Sequence, residues 1–223
     1  MDSLKKLAKY LIGSIVGTVI LCLGTVHFLA YRGMPEAEVL LATFFLDGFF
    51  VYPKDSSKAK ELYLSAAKKN YPTAQCDLGW IYEQEKNYKY ALFLYSQAAL
   101  QNYIPCQHNL ATLYDRGLGV TKDQEKAFLL YKLAADYGYN PAQYALGFNY
   151  INGIGTQKDV TIGLSYLQNS ANKNNANAQG YLALLYFSSD DVPQNLELSK
   201  KWAELAKSNG DNKVQFILNE ISK

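Results

Sequence analysis

The sequence of 223 residues predicts an all-α protein. The expected architecture is an α/α solenoid of about five helix pairs with a C-terminal capping helix, preceded by one transmembrane helix. Three observations carry that prediction. Residues 11–30, LIGSIVGTVILCLGTVHFLA, contain no charge. Through the rest of the chain an apolar residue, a small residue and, three positions on, an aromatic recur together. Between these recurrences stand residues that start and stop helices, at the same place in every unit.

Taking the elements in order, the uncharged run covers roughly 30 Å as a helix, enough to cross a bilayer. A cleavable signal usually has a shorter apolar core closed by small residues at the cut. Here Phe28 lies two positions before Ala30, and a cut after Gly24 leaves TVHFLAY on the new terminus. The reading is an uncleaved signal anchor over residues 11–31, with residues 1–10 a basic cytoplasmic tail and residues 32–223 the solenoid. Lys5, Lys6 and Lys9 precede the span and only Arg32 closely follows it. That bias holds the amino terminus in the cytoplasm and exports the remainder. In a bacterium the chain is then a single-pass inner-membrane protein with a periplasmic solenoid; in a eukaryote the solenoid faces the lumen of the endoplasmic reticulum. Gly13 and Gly17 form a Gly-x-x-x-Gly, a spacing that lets membrane helices approach closely and would serve a weak homodimer.

The formal charge of +2 overstates the basicity of the solenoid. Setting aside Lys5, Lys6, Lys9, Arg32 and Asp2, which flank the apolar run, leaves 18 bases and 19 acids. A nearly neutral body without a basic stripe does not supply the phosphate neutralisation on which nucleic-acid binding depends. Nucleic acid is excluded as a partner.

Five units follow the span. Their first helices open with Leu41, Ala42, Phe45; Leu78, Gly79, Tyr82; Leu110, Ala111, Tyr114; Leu146, Gly147, Tyr150; and Leu182, Ala183, Tyr186, at spacings of 37, 32, 36 and 36 residues. Their second helices carry small residues seven apart, Ala59 and Ala66 in the first and Ser199 and Ala206 in the last. Seven residues are two helical turns, so each pair of small residues lies on one face and lets a neighbouring helix come close. Asp55, Asn87, Asp123, Asp159 and Asn195 precede the second helices, where a side-chain oxygen can accept from a first-turn amide. Fifteen residues after each stands Asn70, Asn102, Gly138, Asn174 or Gly210, the residue types that most readily adopt the left-handed conformation ending a helix. Pro72, Pro105 and Pro141 open the next first helices, where a missing amide hydrogen costs little. Val214, Gln215 and Leu218 repeat Ala178, Gln179 and Leu182 at a spacing of 36, so the terminal FILNEISK reads as one extra, capping helix.

Ala-Gln-x-x-Leu-Gly-x-x-Tyr, a Gly-x-Gly-Val-x-x-Asp loop and an Ala-x-x-Leu-Tyr-x-x-Ala-Ala helix together resemble Sel-one-like repeats, relatives of tetratricopeptide repeats with longer loops. AQYALGFNYINGIGTQKD and HNLATLYDRGLGVTKDQEKAFLLYKLAADYG carry the resemblance, which covers about residues 37 to 210. Residues 78–105 lack the Gly-x-Gly loop and residues 182–210 replace it with SSDDVPQN. The resemblance implies a right-handed solenoid that serves as a scaffold or captures a protein ligand, often outside the cytoplasm, without catalysis. It also implies an alternative role, as an immunity protein neutralising a periplasm-acting secreted toxin such as a type VI lipase effector.

No set of residues suggests an enzyme, a cofactor or a metal. Gly117 to Gly119 and Gly153 to Gly155 follow helices rather than a strand and lack the third glycine of a nucleotide fingerprint. Of the two histidines, His27 is in the apolar run and His108 stands alone. Cys76 and His108 fall on adjacent first helices, which pack about 8 to 10 Å apart, too far for a nucleophile and its base. On such helices Cys76 and Cys106 differ by two positions, or about 200°, so their Cβ directions diverge and unpaired thiols are favoured over a bridge.

By the resemblance to tetratricopeptide arrays, first helices line a concave groove. The positions two before the Leu and one after the small residue are Cys76 and Trp80, His108 and Thr112, Tyr144 and Phe148, and Gly180 and Leu184. They vary between units while the Leu, the small residue and the aromatic do not. Glu83 and Asp115 add acid one turn further on, so the expected partner is a protein segment that is apolar and flanked by basic residues.

Overall fold

The computed structural model describes residues 21–49 and 51–223. Their regular structure is all helix, and they fall into two compact units, one ending at Gln101 and one beginning at Asn102. The first unit contains a helical stretch over residues 21–31, then α1 (Pro35–Asp47), α2 (Ser56–Lys68), α3 (Pro72–Gln84) and α4 (Tyr88–Leu100). The second contains α5 (Ile104–Arg116), α6 (Gln124–Asp136), α7 (Asn140–Asn152), α8 (Val160–Asn172), α9 (Ala176–Phe187) and α10 (Leu196–Ser208). A 3-10 turn (Asn212–Val214) and a short α11 (Gln215–Ile221) close it. The extra terminal helix expected from the sequence is therefore present. Val214 and Ile217 bury it against Ala183, Ala203 and Ala206 of the last pair.

Helices pair as the repeat requires, α1 with α2, α3 with α4, and so on to α9 with α10. The recurrent small residues explain the close approach. Ala59, Ala66, Ala91, Ala98, Ala127, Ala134, Ser170, Ser199 and Ala206 are all fully buried. A methyl group on Gly147 or Gly163 would press against the facing helix of their pair, because each backbone lies against the other.

Helix ends follow their local chemistry. Asp55, Asp123, Asp159 and Asn195 each accept a hydrogen bond from the amide three residues on. Asn87 does not. It stands at the same place, but the turn before it is compressed, with Lys86 at φ 59, and its own backbone sits at φ −86, ψ 65 rather than near −145, 95. That is the physical consequence of the shortened unit. Asn70, Asn102, Asn174, Gly138 and Gly210 all take positive φ, as expected.

A buried polar link repeats through the fold. Three residues before the recurring Leu of each unit stands a buried Glu38, Gln75, Gln107, Gln143 or Gln179. Four of these meet the residue just before the left-handed position of the same unit. Lys69 donates to Glu38 at 2.7 Å, Gln101 to Gln75 at 2.8 Å, Lys173 to Gln143 at 3.3 Å and Asn209 to Gln179 at 2.9 Å. Each link ties the start of a first helix to the end of its second. In the third pair the corresponding residue is Tyr137, which is 66% exposed, and the Gln107 Oε1 is left without a partner.

The segment read as a membrane anchor lies only partly within the described residues. Gly13 and Gly17 are outside them. In the stretch over residues 21–31, Val26 and Ala30 pack on the core shared by α1, α2 and α3, while Leu21, Phe28 and Tyr31 are exposed. Among the described residues no helix is long and apolar enough to cross a membrane.

Candidate functional site

The first helices carry an uneven charge. Glu36, Glu38, Asp47, Asp77, Glu83 and Asp115 are opposed by Arg116 alone among their charged side chains. The second helices are the reverse, with nine lysines and five acids. The excess of acid is confined to α1 and α3 and the excess of lysine to α2, α4 and α10; α7, α8 and α9 carry no charged side chain.

In the second compact unit, the first-helix layer ends in a cavity of about 210 Å³. Tyr144 of α7 and Leu184 of α9 line it together with Tyr181, Asp211 and Phe216. Phe148 stands beside it, its ring 5.1 Å from that of Tyr181. Tyr181 is fixed in turn by the Asn152 amide, which donates to its hydroxyl at 2.9 Å. Leu184 and Phe216 are open to solvent. Burial raises the Tyr144 hydroxyl above its ordinary value, with the neighbouring Tyr181 and Asp211 adding to it, so Tyr144 stays a neutral donor. The site is an apolar and aromatic depression with one carboxylate, Asp211, at its wall and the Lys213 side chain at its edge.

The predicted residues divide by environment. Tyr144 and Leu184 share this cavity. Gly180 lines it too, but for a packing reason: a methyl group there would overlap the Asp211 carboxylate of the cap. His108 and Thr112 are tied into α5 and α6. Thr112 Oγ1 shares a hydrogen bond with the Tyr131 hydroxyl at 3.0 Å, and the His108 ring packs on Tyr131 and Tyr139 at 5.3 and 5.5 Å. Burial holds His108 down at about 4 and pushes Tyr131 up to about 12, so both are neutral near pH 7. Asp115 accepts a long hydrogen bond, 3.4 Å, from Gln124.

In the first compact unit, Trp80 is 45% exposed and Glu83 accepts from the buried Tyr95 hydroxyl at 2.7 Å. Asp77, on the same helix as Trp80, is raised to about 6 by burial. Cys76 is not an open lining residue. It is buried, and both it and Cys106 are disulfide-bonded, which corrects the expectation of unpaired thiols. That expectation rests on ideal helical periodicity alone, counted over a unit beginning at Leu78 that is four residues shorter than those of 36 that follow it.

Counting along the repeat missed Tyr181, Asp211 and Phe216. The last two continue the register one unit further: Phe216 stands two before Leu218 and 36 after Gly180, and Asp211 stands 36 after Asn175, so the signal was present and the count of groove positions stopped one unit short. A larger apolar cavity, about 280 Å³, was also unforeseen. It opens in the first compact unit between α2 and α4, lined by Leu64, Tyr82, Tyr90, Phe93 and Leu94. The Gly-x-Gly loop over Gly153 to Gly155 has a structural role. A methyl group on Gly155, at φ 65, would overlap the Gln124 carbonyl at the start of α6, so the loop closes on the preceding pair. Among the described residues no cluster of three or more His, Cys, Asp or Glu side chains could hold a metal.

The Sel1 repeat matches residues 35–71, 72–103, 104–139, 140–175 and 176–211. The structure is similar to that of a Sel1 repeat protein from Oxalobacter formigenes, with 28% identity and a TM-score of 0.78, over 86% of this chain and 78% of that one. It is also similar to c5321, a protective antigen of uropathogenic Escherichia coli with an SLR fold, with 26% identity and a TM-score of 0.76. That match covers 86% of this chain and 42% of the antigen, so the chain spans less than half of its length. The immunity protein Pa5087 from Pseudomonas aeruginosa, at 24% identity and a TM-score of 0.55 over 84% of this chain and 73% of that one, shares the fold. No curated protein sequence matches the chain.

Proposed function

The chain belongs to the Sel1 repeat family, and on that premise we propose that it is a protein-interaction module, anchored in a membrane by its N-terminal apolar run, whose exported helix pairs hold a partner on their first-helix layer. The observation that carries this reading is the exposure of Trp80, Leu184 and Phe216, with Asp77 and Glu83 on the helix of Trp80 and Asp211 lining the cavity of Leu184 and Phe216. Exposed aromatic and aliphatic anchors are what binding surfaces use, and like-signed charge around them selects the partner. The partner segment is therefore apolar and flanked by Lys or Arg. The uncharged run at residues 11–30, with Lys5, Lys6 and Lys9 before it, supports the anchor and its orientation.

The test uses the full chain in its own membrane. A photo-crosslinking residue at Leu184 should capture a protein through a segment of that composition, and Phe216→Asp, in the same cavity, should abolish the adduct. Capture through an acidic segment, or equal capture from Gln168 on α8, would overturn the reading. A phosphatase fused after residue 40 should be active; inactivity would refute export. The competing assignment, neutralisation of a secreted toxin, predicts that a host producing the toxin of a neighbouring gene grows only when the chain is present.

A further inference from the structure

Helix α6 departs from the other second helices on its outer side. Its buried residues are Ala127, Phe128, Tyr131, Ala134 and Ala135. Facing about 160° away from their mean direction, at 100° per residue, lie Leu129, Leu133 and Tyr137, which are 63%, 41% and 66% exposed. These are not the margin of the core; they point outward, four residues apart, as one apolar stripe. The same three positions read Glu-Ser-Lys, Phe-Gln-Gln, Ser-Asn-Lys and Lys-Leu-Asn in the other four pairs. Only in this pair are all three apolar. The third position is also the one that elsewhere reaches inward to the buried Glu or Gln, and here that link is missing, with Gln107 Oε1 unpartnered.

We propose that this stripe is a contact between two copies of the chain, formed by α6 packing antiparallel on its counterpart about a two-fold axis at Leu133. A patch that meets itself about such an axis must be self-complementary, each residue k positions before the centre facing the residue k positions after it. Leu133 then meets Leu133 of the second copy, and Leu129 meets Tyr137 in both halves. On one flank of the stripe, Lys132 stands level with position 134 of the second copy, and Asp136 of that copy, on the same flank, lies only about 3 Å further along the axis, within reach of a lysine side chain. Opposite charges therefore meet twice. A parallel two-fold arrangement would set that flank against the opposite one, which carries Leu130 and Ala134, and would leave Lys132 and Asp136 without charged partners. Three side chains supply only part of the roughly 800 Å² per partner that a standard stable interface buries, so the association is of the transient, concentration-dependent class.

The test is made on the full chain in nonionic detergent, with Cys22→Ser removing the free thiol. In that background Leu133→Cys, which lies on the axis, should give a disulfide-linked dimer under mild oxidation. Gln168→Cys, exposed on α8, should not. Equal yields at the two positions, or none at Leu133, would overturn the proposal, as would a cross-link from Leu133 to a different protein in membranes. Lys132→Glu and Asp136→Lys should each lower the dimer yield about three- to tenfold, and their combination should restore it. Failure of the double variant to recover would sink the antiparallel register. Circular dichroism of each variant checks that folding is intact.

Discussion

Replacing Tyr137 by glutamine is expected to stabilise the third helix pair by about 1 kcal/mol. In the second pair Gln101 donates to Gln75 at 2.8 Å from the position that Tyr137 occupies in the third, where the Gln107 Oε1 has no partner. A buried acceptor without a donor costs about 1–3 kcal/mol, and a made hydrogen bond nets about 0.5–1.5 kcal/mol. Glutamine also has a slightly better helix propensity than tyrosine, by a few tenths of a kcal/mol, while pinning its side chain costs up to about 1–2 kcal/mol of rotamer entropy. The balance is a gain of about 1 kcal/mol. Because stability in a repeat array is nearly a sum of local and neighbour terms, the gain should be local. Amide hydrogen exchange, followed on dilute protein, should slow in α5 and α6 about fivefold and change little in α1 or α10. Tyr137→Ser, which removes the ring but cannot reach Gln107, is the control. If Ser and Gln change exchange alike, the missing link is not the cause and the reasoning fails. The same Tyr137→Gln substitution should weaken association through α6, so stability and self-association are expected to move in opposite directions.

Other outcomes follow from the same geometry. Asp159→Ala should cost about 0.5–2 kcal/mol in urea unfolding, and Asn87→Ala almost nothing, since only the first makes its cap hydrogen bond. Gly155→Ala should destabilise well beyond the roughly 1–2 kcal/mol of left-handed strain because of the Gln124 carbonyl, whereas Gly210→Ala, with open space around it, should show the strain alone. His108 is held down at about 4, so the folded state prefers it neutral. Its contribution is complete above about pH 6.5 and is lost as pH falls toward 4, by up to about 3 kcal/mol, a loss that His108→Leu should remove from the urea-midpoint profile. Asp77 has the opposite sign: raised to about 6 by burial, it favours the fold below about pH 3.8 and ceases to as pH rises through 6. Asp77→Asn should therefore stabilise the first compact unit at pH 7 by about 2–3 kcal/mol and leave it unchanged at pH 4.

The helix ends were legible because they depend on one residue's own chemistry: an Asp or Asn accepting from its third neighbour, an Asn or Gly taking positive φ. The core was legible because Leu182, Ala183 and their counterparts repeat at fixed intervals and lie buried. The site was legible only in part. Repeat position picked out Tyr144 and Leu184, which line one cavity, but it could not distinguish an open position from a filled one. Thr112 is held by Tyr131, nineteen residues away, and Cys76 by a disulfide. Asp211 and Phe216 escaped because the count of groove positions stopped at the fifth unit, although the register runs on to Leu218 and puts Phe216 where Gly180 stands in the unit before. The polar links escaped for another reason. The Gln of Ala-Gln-x-x-Leu is plain in the sequence, but its partner is 26 to 31 residues on and is Lys, Gln or Asn by turns.

Two departures from the repeat have different causes, and the difference is informative. Asn87 fails to cap because its backbone cannot point the side chain at the right amide, and the shortened turn before it explains that fully. Tyr137 has no such excuse. Its backbone, at φ −80, ψ 7, is close to that of Lys69 at −86, 13, Gln101 at −89, 14, Lys173 at −91, 24 and Asn209 at −95, 12. A polar side chain at 137 would leave the helix in the same direction as those four and could reach the same buried partner. The loss of the link thus comes from the side chain alone, and it lowers stability where nothing in the backbone requires it. Such a residue, lying in line with Leu129 and Leu133 on the outer face, is accounted for by what that face touches rather than by what the fold needs.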